Sequence, residues 1–215
     1  MTELYFDFLC PYAWRGVELA AVLRAQGEGF RLRFFSLVEG NHPDNAGGLT
    51  WRITDQPLDA EGGSGYLSYQ RPTLNAFLAA LAAYEQGEDA AWKFTLALYR
   101  AHHEEKRPLD EAAFADAAQQ AGLDLSAWQA ARKDEAGLRA KLRAELDSAA
   151  EVGVFGTPTF VLPDGSAAYY RFENLTRDPA EAGVWWQLFK DVLHSEAGIG
   201  TIKRAKKRPP VKRGG

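Results

Sequence analysis

The run Leu4-Tyr5-Phe6-Asp7-Phe8-Leu9 passes without a break into Cys10-Pro11, and this junction constrains the fold more than any other part of the chain. Leu4, Phe6 and Phe8 alternate with Tyr5 and Asp7 in an aromatic-rich stretch, the period of a β-strand. Proline at position 11 suits the first turn of a helix, where its missing N–H removes no hydrogen bond. Val17, Leu19, Ala20, Val22 and Leu23 continue a mostly apolar helix with a stop near Gly27 or Gly29. Phe30 to Leu37 (FRLRFFSL) reads as a second strand, joined by a crossover of the length that parallel pairing needs. The chain therefore opens as a β-α-β unit with Cys10 at the carboxyl end of its first strand. That edge is where open α/β sheets place ligands.

Beyond residue 40 the pattern changes. Gly40 to Arg71 holds Pro43, Pro57, Gly47-Gly48 and Gly62-Gly63-Ser64-Gly65 with little periodicity, the signature of a lid or binding loop. Its Trp51, Arg52, Tyr66 and Tyr69 are candidates either to close over a site or to fasten the loop to the body. Pro72 to Glu151 is helical in pattern throughout, in about five pieces. Asp110 is a good cap there, with Leu109 and Phe114 spaced as a hydrophobic staple, and Ser126 with Gln129 reads as a capping box. Leu138, Leu142 and Ala149 mark the inner face of the last piece. Strand character returns at Thr159–Leu162 and Ala167–Phe172, an expected antiparallel pair around Pro163-Asp164-Gly165. Asp178-Pro179-Ala180-Glu181 starts a terminal helix whose Val184, Trp185, Leu188, Phe189, Val192 and Leu193 are expected to face the sheet. The expected divisions are 1–39, an irregular segment 40–71, a helical insertion 72–151, a second α/β piece 152–195 and a tail 196–215.

At 215 residues, 46% of them hydrophobic, the chain can bury one sizeable core or a small domain carrying an insertion. A single cysteine excludes an internal disulfide. The N-terminal MTELYFDFLCPYAW lacks the basic and apolar regions of a secretory signal, and no apolar run reaches the roughly 20 residues of a membrane helix, so a cytoplasmic protein is expected. The net charge of −4 is uneven: Lys203–Arg213 holds seven basic residues and no acid, leaving a body with 18 basic against 29 acidic residues. Such a tail could touch nucleic acid or an acidic partner, but a solubilising end is its commoner use. Nucleic acid is not an expected partner. His42, His102, His103 and His194 show no metal-ligand spacing, and no metal is expected.

A thiol is nucleophilic only as thiolate, and a helix N-terminus favours that anion. Cys10 at the mouth of the first helix is therefore expected to be accessible, reactive and depressed in pKa; a small buried hydrophobe is the alternative. Gly156-Thr157-Pro158-Thr159-Phe160 enters the third strand through a proline, a weak signal alone. Asp7, three residues before Cys10, is a candidate to relay a proton to or from the thiol, or a buried carboxylate satisfied by backbone donors.

Together, Tyr5-Phe6-Asp7-Phe8, Cys10-Pro11-Tyr12-Ala13, Val154-Phe155-Gly156-Thr157-Pro158-Thr159-Phe160 and the element order resemble the DsbA-like branch of the thioredoxin superfamily. That branch includes the FrnE-type cytoplasmic proteins, 2-hydroxychromene-2-carboxylate isomerases and kappa-class glutathione transferases. The resemblance covers about residues 1–195. It implies an α/β thioredoxin-like fold, β-α-β then β-β-α, with a large all-helical insertion between the halves. It also implies a cis Thr157–Pro158 bond beside Cys10, with Pro11, Tyr12, Ala13, Thr157 and Pro158 binding substrate and Thr157 helping to set the thiolate pKa.

The departures narrow the chemistry. The family's second cysteine falls at Ala13, so a mixed disulfide on Cys10 cannot be resolved internally. The resemblance therefore implies a monothiol thiol-disulfide oxidoreductase with a small-molecule or protein thiol or disulfide as substrate. No cofactor is expected to be tightly bound; glutathione or another low-molecular-weight thiol is the expected co-substrate. Arg177-Asp178 stand out of the pattern that the isomerase and transferase relatives show near glutathione. A glutathione-dependent isomerase or transferase, and a redox-inactive thioredoxin-fold binding module, are the alternatives. Oligomeric state is not readable.

Overall fold

The computed structural model describes residues 1–59 and 65–202, with Tyr66 by its backbone alone. The Gly62-Gly63-Ser64 run, the Tyr66 side chain and the basic segment Lys203–Arg213 lie outside the described residues. Strand β1 (Thr2–Phe6) leads to helix α1 (Pro11–Ala25), β2 (Phe30–Phe34) and a short α2 (Leu37–Gly40). Five helices follow: α3 (Gln70–Tyr84), α4 (Glu88–His103), α5 (Glu111–Gln120), α6 (Leu125–Arg132) and α7 (Glu135–Val152). The chain returns through β3 (Thr159–Val161), β4 (Ala167–Tyr169) and α8 (Pro179–Leu193). The sheet order is β2-β1-β3-β4, with β1 parallel to β2 and the other pairs antiparallel. This is the thioredoxin-like arrangement with a helical insertion between its halves.

Alternation along β1 sorts the two faces. Leu4 and Phe6 are in register with Leu32 and Phe34, and Leu4 lies opposite Phe160. Phe160 packs on Trp186 and Phe189 of α8, ring centroids 5.3 Å away in each case. Phe6 and Phe34 join Phe8, Phe77 and Tyr99 in a buried aromatic cluster that fastens the sheet edge to α3 and α4. Each such side chain contributes about 1.5–3 kcal/mol through burial. The opposite face carries Arg33, which stands over Tyr5 and donates to Glu145 at 2.6 Å and Ser148 at 2.9 Å, laying α7 across the sheet.

Several sequence expectations are corrected. The first strand ends at Phe6, not Phe8, and the second at Phe34, because Ser36 accepts from the Glu39 N–H and starts α2. The third strand stops at Val161 and the fourth at Tyr169, short of Leu162 and Phe172. The cap of α6 is Asp124, accepting from the Ala127 N–H, rather than Ser126. Gln86 holds Asp124 in place by bonding both its backbone N–H and its carbonyl. On α8 the buried side chains are Ala182, Trp186 and Phe189, whereas Val184 and Leu188 are exposed. In a helix with apolar residues all round, packing rather than pattern selects the inner face.

Between residues 40 and 71 the described chain makes short 3-10 turns at Pro43–Asn45, Ile53–Asp55 and Gly65–Tyr69. Trp51 stacks on His42 at 4.0 Å, and Arg52 donates to Glu39 and Asp147 at 3.2 and 2.5 Å. Ile53 is fully buried. These residues fasten the segment to α2 and α7.

One buried charge joins the halves. Glu18 of α1 is 1% exposed and accepts from Arg100 of α4 at 2.7 and 2.8 Å and from Arg177, ahead of α8, at 2.7 and 3.0 Å. Burial alone pushes this carboxyl upward, but the two guanidinium groups outweigh it and hold the pKa at about 2. A depressed carboxyl pKa contributes stability that is present above its ordinary value and lost as pH falls through the folded one. Glu18→Ala should therefore lower stability by about 1–3 kcal/mol near neutrality, since it removes charge-assisted hydrogen bonds while both guanidinium groups, 43% exposed, keep part of their hydration. Urea titrations should show the gap between wild type and variant closing as pH falls from about 4.5 to about 2.

Candidate active site

Cys10 caps α1 with extended backbone, φ −87° and ψ 113°. Its sulfur accepts the Ala13 N–H at 3.4 Å, and its S–H donates to the Thr157 carbonyl at 3.2 Å. The contact joins positions 147 residues apart. The Thr157–Pro158 peptide is cis. The Pro158 ring rests directly on α1 at Gly16, where an added Cβ would meet Pro158 atoms at 3.1 and 3.2 Å. Gly16 thus lets the loop reach the cysteine, and the only sequence signal for it is a glycine inside an apolar helix.

The candidate residues gather unevenly around this contact. Ala13 is fully buried and supplies the N–H to sulfur. Pro11 is exposed at the start of the helix, and Tyr12 is half-buried at the rim. Thr157 is 1% exposed, and its hydroxyl has no hydrogen-bond partner among the described residues. Asp7 lies behind the cysteine and is fully buried. Its carboxylate accepts from the Leu9 N–H at 2.9 Å and the Leu37 N–H at 2.7 Å, while its backbone carbonyl accepts from Cys10 N–H at 3.0 Å.

Helix α4 grips the same turn. Tyr99 donates its hydroxyl to the Asp7 carbonyl at 2.8 Å. His103 Nε2 lies 2.8 Å from the Phe8 carbonyl, and its ring stacks on Trp14 with centroids 5.5 Å apart. Burial pulls the His103 pKa down to about 4, so near neutrality the ring is uncharged and donates from Nε2. Sequence spacing does not expose this role for Tyr99 and His103.

The electrostatics correct one expectation outright. Cys10 is 7% exposed, and burial pushes its thiol pKa above the ordinary value. The Thr157 side chain and the Ala13 and Tyr12 N–H groups pull the other way, and the charge of Asp7 adds to the rise. A helix terminus is worth about 0.3–1 kcal/mol at a typical site, less than the loss of water around an anion. The sulfur is neither depressed in pKa nor openly accessible. Asp7 is itself pushed up by burial to about 7, against the two backbone donors that favour its charge.

Outside this pair lies a rim of aromatic and cationic groups. Phe155, 75% exposed, packs on Tyr169, and Arg171 stands over both Tyr12 and Tyr169. A groove of about 340 Å³ runs from Arg171 along Phe172 and Asn174 to Trp185 and Leu188 of α8. Among the described residues no group of three His, Cys, Asp or Glu side chains is placed to hold a metal ion, and no helix is long and apolar enough to cross a membrane.

The family model of the DSBA-like thioredoxin domain matches residues 2–177. No curated protein sequence matches the chain. Among solved structures, a probable DsbA oxidoreductase from Streptomyces coelicolor aligns with TM-score 0.57 and 20% identity over 98% of this chain and 96% of that one. The cytosolic disulfide reductase DsbM from Pseudomonas aeruginosa with GSH aligns at 0.56 and 18%, over 88% and 98%. A 2-hydroxychromene-2-carboxylate isomerase aligns at 0.55 and 17%, over 91% and 97%. At such identities the likeness establishes the fold.

The Asp7 geometry yields a test. At pH 5 Asp7 is a protonated carboxyl whose two oxygens still face the Leu9 and Leu37 N–H groups, whereas an amide offers one oxygen, so Asp7→Asn should cost about 1–3 kcal/mol in urea unfolding at that pH. A folded pKa raised to about 7 means that stability present below the ordinary carboxyl value is lost as pH rises through about 7. The variant should lack that decline.

Proposed function

The chain belongs to the DSBA-like thioredoxin domain family, and from that premise we propose that it exchanges thiols and disulfides in the cytoplasm by a monothiol mechanism through Cys10. The observation that carries this reading is the sulfur itself, set between the Ala13 N–H and the carbonyl of the cis-proline loop with no second thiol in the chain. The Cys10 thiolate attacks one sulfur of a substrate disulfide, and the other sulfur leaves as thiolate. An external thiolate then attacks the adduct, takes the substrate sulfur as a new disulfide and restores Cys10. No net electrons remain on the protein. Glutathione or a similar small thiol suits the second step, in keeping with the GSH in the DsbM structure.

Thr157, Pro158, Pro11, Tyr12 and Ala13 form the substrate-binding wall in this proposal. Once the S–H proton has gone, the unpartnered Thr157 hydroxyl is available to donate to the thiolate beside the Ala13 N–H. Asp7 serves by holding the turn ahead of Cys10, since both of its carboxylate oxygens are taken by backbone donors. The raised thiol pKa favours a second reading, a redox-inactive binding module built on the same loop.

Incubation with oxidised glutathione followed by intact-mass measurement separates the two. The exchange reading expects one glutathione adduct on wild type, formed faster as pH rises through and beyond the ordinary thiol range, and none on Cys10→Ser. Ala13→Cys should replace the lasting adduct by an internal disulfide, because the two positions are one helical turn apart. A wild type that takes no adduct across the alkaline range would overturn the exchange reading.

A further inference from the structure

Two arginines from distant parts of the chain meet at one ring beside Cys10. The guanidinium of Arg15, on α1, lies 5.2 Å from the centroid of Tyr12, and that of Arg171, just past β4, lies 4.5 Å from it. Arg171 also stands 5.5 Å from the Tyr169 ring. Tyr169 is in register with Thr159, next to the cis-proline loop, and its ring covers Gly156, where a Cβ would meet it at 3.2 Å. Arg171 therefore spans both walls of the site. Arg15 is tied to the same segment by donation to the carbonyl of Phe172, the residue after Arg171, at 3.4 Å. Among the described residues neither guanidinium forms an ion pair with a carboxylate, whereas Arg100 and Arg177 share Glu18. Stacking on an aromatic face orients a guanidinium while leaving edge N–H groups free, and those edges match a carboxylate.

We propose that Arg15 and Arg171 form a carboxylate subsite beside Cys10, so that the site takes low-molecular-weight thiols and disulfides bearing a carboxylate near the sulfur. This specificity rests on the exchange reading above, but the subsite can be tested without it. The acidic body works against any anion at long range, yet its charges are screened beyond about 10 Å at 0.1 M salt, which leaves the local groups to decide, two guanidiniums against Glu173, which lines the groove with Arg171.

Alkylation of Cys10 by iodoacetate and by iodoacetamide compares one reaction with and without a carboxylate. In each case the thiolate forms an S–C bond and iodide leaves, so a change in thiolate fraction cancels in the ratio of rates. The iodoacetate/iodoacetamide ratio should exceed that of a free thiol about fivefold, fall severalfold in Arg15→Gln and Arg171→Gln, and collapse toward the free-thiol value in about 1 M salt. A ratio equal to that of a free thiol and unmoved by both substitutions overturns the subsite. Titration of Cys10→Ser protein with N-acetyl-S-methylcysteine and with its amide, followed by NMR shifts, decides the matter independently of thiol chemistry. Saturable binding of the carboxylate over the amide, lost in Arg171→Gln, supports the subsite; equal or absent binding of the two rejects it. Failure of both reagents to alkylate Cys10 would count against the exchange reading, and the titration would still decide the subsite.

Discussion

The carboxylate of Glu18 ties the helix that presents Cys10 to the inserted helices and to the approach of α8. A buried charge is tolerable only when fully paired, so Arg100 and Arg177 must both arrive for α1 to pack as it does. Helix α4 repeats the dependence on uncharged groups. Tyr99 takes the Asp7 carbonyl, His103 takes the Phe8 carbonyl, and Trp14 stacks on the same histidine. The insertion is thus part of the frame of the site: it closes the hydrogen bonds of the turn that ends in Cys10.

From the other side, the site depends on an absence. Gly16 leaves room for the Pro158 ring against α1, and through it the Thr157 carbonyl reaches the Cys10 sulfur. That closeness has an electrostatic consequence. The sulfur is buried there, and its loss of hydration outweighs the helix terminus and the Thr157, Ala13 and Tyr12 groups that favour the anion, so the resting thiol is held protonated. The buried Thr157 hydroxyl and the Ala13 N–H are the groups prepared for the anion. With alanine at position 13, the chain holds no second thiol to pair with that sulfur.

Much of this could be read before any coordinates, because it depends on neighbours in the chain. Asp110 and Asp178 cap their helices as local chemistry predicts, and Leu109 and Phe114 are both buried at the start of α5. Where two local signals competed, a distant contact chose between them. Asp124 rather than Ser126 caps α6 because Gln86, 38 residues away, holds both its backbone groups. The inner face of α8 was ambiguous for the same reason, since the partners that bury Trp186 and Phe189 come from the sheet.

The sequence by itself determined the order of elements, the place of Cys10 at a strand end and helix start, the proline loop expected opposite it and the missing second thiol. Each of these is set by spacing and residue type within a few positions. Only the tertiary structure decided the state of the thiol, because the burial that raises its pKa comes with packing against segments far away in the chain, the Thr157 loop 147 residues on among them. It also decided that Gly16 is a seat for Pro158 and that Arg15 and Arg171 converge on Tyr12. Close approach and electrostatic convergence arise between segments that share no local pattern, so Cys10 could be located from the sequence while its surroundings could not.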